Sequence, residues 1–251
     1  VSAPHQAEAA RRESTPPEIT DTLPISEVFH RTIQGEGPAA GRPASFVRLM
    51  GCNLSCSWCD SAYTWDASRY NLRAETTHRT ADSLAGELVE HRAGIVVITG
   101  GEPLLHQDRP AFERLLKILV LNDLPVHIET NGTINPSPTT LAYSRAIIVS
   151  PKLPHAGPHR GHQDPTPAPA LKSWPQVHLK VVCRDAGDVE RAIELADQMR
   201  IPLERTYVMP EGTTADDLAL IWPEIADAAA HHGVNATHRL HVLAWGDGRG
   251  R

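Results

Sequence analysis

Residues 94–132 read GIVVITGGEPLLHQDRPAFERLLKILVLNDLPVHIETNG, and three features of this stretch decide the fold. The run 94–99 is apolar and β-branched and stops at paired glycines, which predicts a buried strand followed by a tight turn. Pro110 then opens a segment in which Phe112, Leu115, Leu116, Leu119 and Val120 recur with the 3.6-residue period, so a helix follows with proline in its first turn. A second apolar run, 125–130, ends in Asn131-Gly132. Two apolar strands separated by a helix pair in parallel through a right-handed crossover. Both polar, glycine-bearing strand ends then fall on one rim.

The same unit extends in both directions. Residues 45–50, 145–150, 177–182, 205–209 and 239–243 are further strand candidates. Helices are predicted where Ala192, Leu195, Ala196 and Met199 recur, and where Leu218, Ile221, Trp222, Ile225 and Ala229 follow a cap at Thr214. Such alternation defines an α/β fold, either a doubly wound sheet or a full or partial β/α barrel. In each of these, ligands gather beyond the carboxyl ends of the strands, here 100–103, 129–132, 150–152 and 209–212. Residues 1–22 are polar and proline-containing and read as a disordered leader, with one catalytic domain over 23–251. Residues 154–175 are rich in proline and histidine without periodicity; they read as a loose loop, with a lid as the alternative.

The formal charge of −6 arises from 30 acidic and 24 basic residues, and no window concentrates Lys and Arg into a phosphate-binding track, so a nucleic-acid partner is not expected. No apolar run approaches the ~20 residues of a membrane span, and the first residues lack the apolar core of a secretory signal. The expected setting is the cytoplasm, where clustered cysteines are ligands or packing residues more often than disulfides.

Three of the four cysteines lie at Cys52, Cys56 and Cys59, close enough for one loop to wrap one inorganic cluster. A structural zinc site needs a fourth ligand; Cys183 lies far along the chain in a strand and reads as an apolar packing residue, and no histidine lies inside the loop. Three thiolates on a four-iron cube leave one iron open. The Cys-x3-Cys-x2-Cys spacing, with Trp58 before the last cysteine, resembles the cluster loop of the radical S-adenosylmethionine superfamily, and Thr99-Gly100-Gly101-Glu102-Pro103 resembles its strand-end motif. The resemblance implies an incomplete β/α barrel of the radical SAM type. It also implies a 4Fe–4S cluster that cleaves S-adenosylmethionine to a 5′-deoxyadenosyl radical.

Several further motifs occur in the right order: Glu27-Val28-Phe29, Thr32 to Gly37, Ser45 to Leu49, Cys59-Asp60-Ser61, Glu129 to Gly132, and Ser150-Pro151-Lys152. Together they resemble the 7-carboxy-7-deazaguanine synthase family. That family converts 6-carboxy-5,6,7,8-tetrahydropterin to 7-carboxy-7-deazaguanine and ammonia, a step toward queuosine and related deazapurines. The resemblance further implies bound Mg²⁺, a homodimer, and an external electron donor of flavodoxin or ferredoxin type. Its rivals are a glycyl-radical activase or other short radical enzyme, and a zinc-stabilised binding module.

By the same resemblance, Ile33, Gln34, Gly35, Arg48, Thr99, Glu129 and His238 are substrate contacts. Gln34 suits the amide-like edge of a pterin, Arg48 its carboxylate and Glu129 its paired N–H donors. For Arg48 the alternative is a surface charge, for Glu129 a structural salt bridge and for His238 a surface histidine. Trp58, Cys59, Asp60, Gly101, Glu102, Ser150, Pro151, Lys152, Met209, Pro210 and Glu211 are the implied cofactor contacts, and Ser61 the implied Mg²⁺ ligand. One departure stands out: some members end just after the segment matching Thr237-His238-Arg239, whereas here LHVLAWGDGRGR follows.

Overall fold

In a computed structural model, which describes residues 21–160 and 165–250, the quoted stretch forms strand β4 (Ile95–Gly100), helix α2 (Pro110–Leu121) and strand β5 (Val126–Thr130), as read. The chain enters through β1 (Thr22–Ile33), β2 (Pro43–Leu49), β3 (Thr77–Thr80) and α1 (Ala81–His91). After β5 come α3 (Pro138–Tyr143), β6 (Ala146–Val149), β7 (Val177–Cys183), α4 (Ala186–Met199), β8 (Thr206–Pro210), α5 (Ala215–His232), β9 (Asn235–Ala236) and α6 (Leu240–Trp245). Helix starts follow local chemistry: Thr80, Asp185 and Thr214 each accept a backbone N–H at the N-cap.

The described residues form one nine-stranded sheet in the order β3-β1-β2-β4-β5-β6-β7-β8-β9. Strands β2 and β4 to β9 pair in parallel, each beside the previous member of that set, while β1 runs antiparallel to both β2 and β3. A doubly wound sheet reverses direction at a switch point. Here the parallel strands β2 and β4 to β9 follow one another without reversal, so their crossovers stack the helices on one face and the sheet curls into a partial barrel.

The two-residue strand period then sorts side chains between the faces. Val96, Ile98, Val126 and Ile128 pack with α1 and α2 in one core cluster, and Ile147, Val149, Leu179, Val181 and Val208 with α4 and α5 in another. The alternate residues Arg48, Thr99, Glu129, Ser150, Lys180 and Met209 point to the concave side, where all line one cleft.

Four expectations change. The segment 239–243 is helical, because the short β9 already occupies the edge of β8. Its residues Leu240, Val242 and Leu243 do not share one face: Val242 is buried and Leu243 half exposed. Strands β1 and β3 were not expected; β1 is mostly half-buried and carries Glu27, His30 and Arg31, so it shows no clean alternation. The described parts of 154–175 are packed: Leu171 and Ala168 are buried in the second core cluster, and Ala156 against the cysteine loop. The leader lies outside the described residues except for Asp21 and Thr22, and the fold begins with Thr22 paired to Thr80.

Candidate active site

The cysteine loop leaves the end of β2 beside the end of β4, where Leu49 and Gly100 are in register. Gly101 N–H donates to Leu49 O at 3.2 Å and Glu102 N–H to Gly51 O at 2.8 Å. Any side chain would break this contact, since a Cβ on Gly101 would lie 2.2 Å from Gly51 O and 2.8 Å from Cys52 Cβ. From the other side Ser57 N–H donates to Ala156 O at 2.9 Å, Ser55 N–H to His159 Nδ1 at 3.1 Å, and Arg160 N–H to Ser55 Oγ at 2.8 Å. The start of the proline-rich segment is therefore a clamp on the cluster loop.

Cys52, Cys56 and Cys59 are free thiols lining one cleft. Leu54 N–H points at Cys52 Sγ from 3.4 Å and Trp65 Nε1–H at Cys59 Sγ from 3.3 Å, donors of the kind that stabilise cluster-bound sulfur. Burial pushes the Cys52 thiol up to about 12 and raises that of Cys56, so iron must displace protons to bind. Among the described residues no three His, Cys, Asp or Glu side chains converge on a single-ion site. A single zinc needs its donors within about 2.3 Å, whereas a four-iron cube spreads its thiolates over separate corners. The donor set fits the cube.

The implied cofactor residues divide. Trp58, Asp60, Gly101, Ser150, Lys152 and Met209 line the cleft, with Lys152 Nζ 3.2 Å from Ser150 Oγ and 5.2 Å above the Trp58 ring. Glu102 does not. Its fully buried carboxylate accepts from Leu104 N–H at 2.9 Å, Asn131 N–H at 2.7 Å and Thr130 Oγ1 at 2.8 and 2.9 Å, so it ties the end of β4 to the end of β5. Pro151 and Pro210 are buried away from the cleft lining, and Glu211 turns aside, its carboxylate 3.3 Å from His155 Nε2. Ser61 Oγ lies in the cleft wall, 3.7 Å from Cys59 Sγ.

Of the implied substrate residues, Ile33, Gln34, Gly35, Arg48, Thr99 and Glu129 line the same cleft. Glu129 accepts from Gln34 Nε2 at 3.1 Å, Thr99 Oγ1 at 3.1 Å and Lys180 Nζ at 3.2 Å. Arg48 Nε donates to Glu27 at 3.2 Å, and its terminal nitrogens make no hydrogen bond among the described residues. His238 falls outside: its ring stands edge-on to Trp222, 4.9 Å between centroids, because the turn into α6 sends Arg239 and His241 inward instead.

The sequence reading missed the ionic chain that organises this end. Lys180 joins Glu36 at 2.5 Å to Glu129, and Arg239 joins Glu36 at 2.9 Å to Asp60 at 2.5 Å. Burial alone would raise the Glu36 carboxyl, but Lys180, Arg239 and His241 hold it well below the usual range. Burial likewise opposes charge on Lys180, and Glu129 and Glu36 overcome it, raising the ammonium above its ordinary value. The available signals were a lysine inside the apolar run of β7 and a glutamate inside the Gln34 to Gly37 turn.

The cleft is open to solvent at its mouth and brings the three cysteines, the Gly100-Gly101 ledge and Arg48, Glu129 and Lys180 around one space. Residues 47–221 match the Radical SAM superfamily, which defines the class of enzyme. The 7-carboxy-7-deazaguanine synthase of Pyrobaculum aerophilum is 36% identical over 234 residues, spanning 92% of this chain and 99% of that protein. That of Halobacterium salinarum is 37% identical, spanning 90% and 91%. The crystal structure of QueE from Escherichia coli superposes with a TM-score of 0.65 at 26% identity, covering 88% of this chain and 95% of that one. The chain belongs to the 7-carboxy-7-deazaguanine synthase family.

Proposed function

We propose that this chain converts 6-carboxy-5,6,7,8-tetrahydropterin to 7-carboxy-7-deazaguanine and ammonia. The observation that carries the reading is a single cleft holding three thiols at one end and, on the next strands, planar polar groups suited to a pterin. Class membership brings a 4Fe–4S cluster and S-adenosylmethionine, which together supply a hydrogen-abstracting radical when bound. Cys52, Cys56 and Cys59 hold the cluster, and the Gly100-Gly101 ledge lets the cofactor lie against backbone. Ser150, Lys152, Met209 and Asp60 line the rim where they would hold the cofactor.

Toward the barrel axis Arg48 receives the substrate carboxylate on its unpaired fork. Gln34, Thr99 and Glu129, held in one hydrogen-bonded group, read the pterin edge, with Glu129 accepting from the substrate's N–H groups. Lys180, 3.2 Å away, holds the Glu129 carboxylate in place for that role. Ser61 would offer its hydroxyl to Mg²⁺, which would supply charge stabilisation at the substrate carboxylate. An external one-electron donor of flavodoxin or ferredoxin type, a homodimeric state and a cytoplasmic setting complete the reading. Among the described residues no helix is long and apolar enough to cross a membrane.

The test is turnover. Anaerobic, reconstituted protein with S-adenosylmethionine, Mg²⁺, dithionite and the carboxytetrahydropterin should yield the deazaguanine by mass spectrometry. Intact cluster and deoxyadenosine formation with no deazaguanine would point instead to another short radical enzyme.

A further inference from the structure

The segment following α6 belongs to the site. Gly246, with φ +72° and its N–H on Val242 O at 2.8 Å, ends the helix, and Asp247 to Gly250 turn back to line the cleft beside Glu27, Arg48 and Tyr63. Arg249 pins the segment there. Its guanidinium lies 3.6 Å from the Tyr63 ring centroid, Nη1 is 2.9 Å from Glu75 Oε2, and Nε is 3.8 Å from Glu27 Oε1.

Glu27 is thereby shared between two guanidinium groups. Its Oε2 accepts from Arg48 Nε and from Tyr63 OH, each at 3.2 Å, while its Oε1 faces Arg249. A guanidinium beside a carboxylate prefers to engage both oxygens with two parallel N–H bonds. Were Oε1 unopposed, Arg48 would rotate onto it and lose a terminal nitrogen from the cleft. Glu27 and Arg48 are both largely shielded from water, with side-chain exposures of 16% and 19%, so the competition takes place where charge contacts are strong.

We propose that Arg249 is a positioning residue: by drawing the second oxygen of Glu27 electrostatically from 3.8 Å it restricts Arg48 to one bond with that carboxylate and leaves the Arg48 fork aimed at the substrate carboxylate. The inference rests on the role given to Arg48 above. It assigns to the segment beyond the Thr237-His238-Arg239 turn a part in selecting 6-carboxylated substrates over pterins that lack the carboxylate.

The test uses full-length reconstituted enzyme, wild type and Arg249→Ala, Arg249→Lys and Arg249→Ala/Glu27→Gln. Anaerobic calorimetry measures binding of the carboxytetrahydropterin and of tetrahydropterin without the carboxylate; steady-state turnover gives KM and kcat, and iron content and Tm check folding. Arg249→Ala should weaken binding of the carboxylated substrate about tenfold, the scale of one charged hydrogen bond, with the effect in KM more than in kcat and none on tetrahydropterin binding. Arg249→Lys should fall between, and Glu27→Gln, which removes the competing charge, should restore affinity in the Arg249→Ala background. Equal losses for both pterins, unchanged affinity, or failure of the double variant to recover would overturn the inference. Absence of turnover by the wild type would instead remove the proposed function, and this inference with it.

Discussion

At the scale of single residues, Gly101 determines how near the end of β4 comes to the cysteine loop. The space for a methyl group there is taken by Gly51 O and Cys52 Cβ, both atoms of the loop that presents the first thiol. Gly101→Ala should force loop and strand apart, destabilising the fold by about 1–3 kcal/mol, the usual range for overpacking. In a chain of this length that lowers Tm by roughly 3–10 °C, and iron uptake on reconstitution should drop in parallel. Wild-type iron stoichiometry in this variant would show that the ledge does not shape the cluster loop. This residue was legible in the sequence because a double glycine at a strand end has few other uses. Lys180 and Arg239 were not: their partners Glu36 and Asp60 are 144, 203 and 179 positions away, and only the barrel brings them together.

Among the elements, most of those whose burial is one-sided and regular were readable, α1 with its buried Ala81, Leu84, Ala85 and Leu88 being missed, and those held by contacts from elsewhere were not. Strands β4 to β8 and helices α2, α4 and α5 have a continuous apolar face, and the sequence carries that period. β1 is paired on both edges, to β2 and β3, and its core contacts are split between Leu23, Ile25 and Val28 in one cluster and Phe29 in another, with Glu27, His30 and Arg31 among them, so no single period marks it. The segment after β6 is a comparable case. His155 sits with its side chain 1% exposed between Asp188 Oδ2 at 3.1 Å and Glu211 Oε2 at 3.3 Å, its ring 5.8 Å from that of Trp58. It fastens the residues following Lys152 to the start of α4 and the end of β8, and the adjacent Ala156 carbonyl holds Ser57 of the cluster loop. His155→Ala should leave a cavity and two carboxylates facing it, costing about 2–3 kcal/mol. Iron release to a chelator should accelerate several-fold at a temperature where the protein stays folded. Release at the wild-type rate would separate this anchor from the cluster.

The whole molecule is a curled sheet whose convex side packs against the helices and whose concave side carries Arg48, Thr99, Glu129 and Lys180; its buried and half-buried histidines lie both on strands, at His127 and His178, and in short helical turns of the loops, at His106 and His155. His106, His127, His155 and His178 all have pKa values lowered by burial, His127 from 6.5 to about 4. Each lowered value means that the unfolded chain takes up a proton before the folded one. The corresponding stability is complete above about pH 6.5 and is lost as pH falls toward the folded values. For His127 alone, which is 5% exposed, the loss is about 2 kcal/mol by pH 5 and about 3 by pH 4. Glu36, Asp60 and Asp188, whose carboxyl pKa values are lowered, contribute only at more acid pH, whereas the raised carboxyls of Glu102 and Glu211 titrate above their ordinary values, so the histidine share is read from a variant. His127 Nδ1 has no hydrogen-bond partner, so His127→Leu should be nearly neutral at pH 7.5. Thermal unfolding of cluster-free protein at pH 7.5 and 5.0 should then show the Tm difference between the two conditions shrinking by roughly 4–8 °C in the variant. A difference equal to that of the wild type would place the acid sensitivity in groups other than His127.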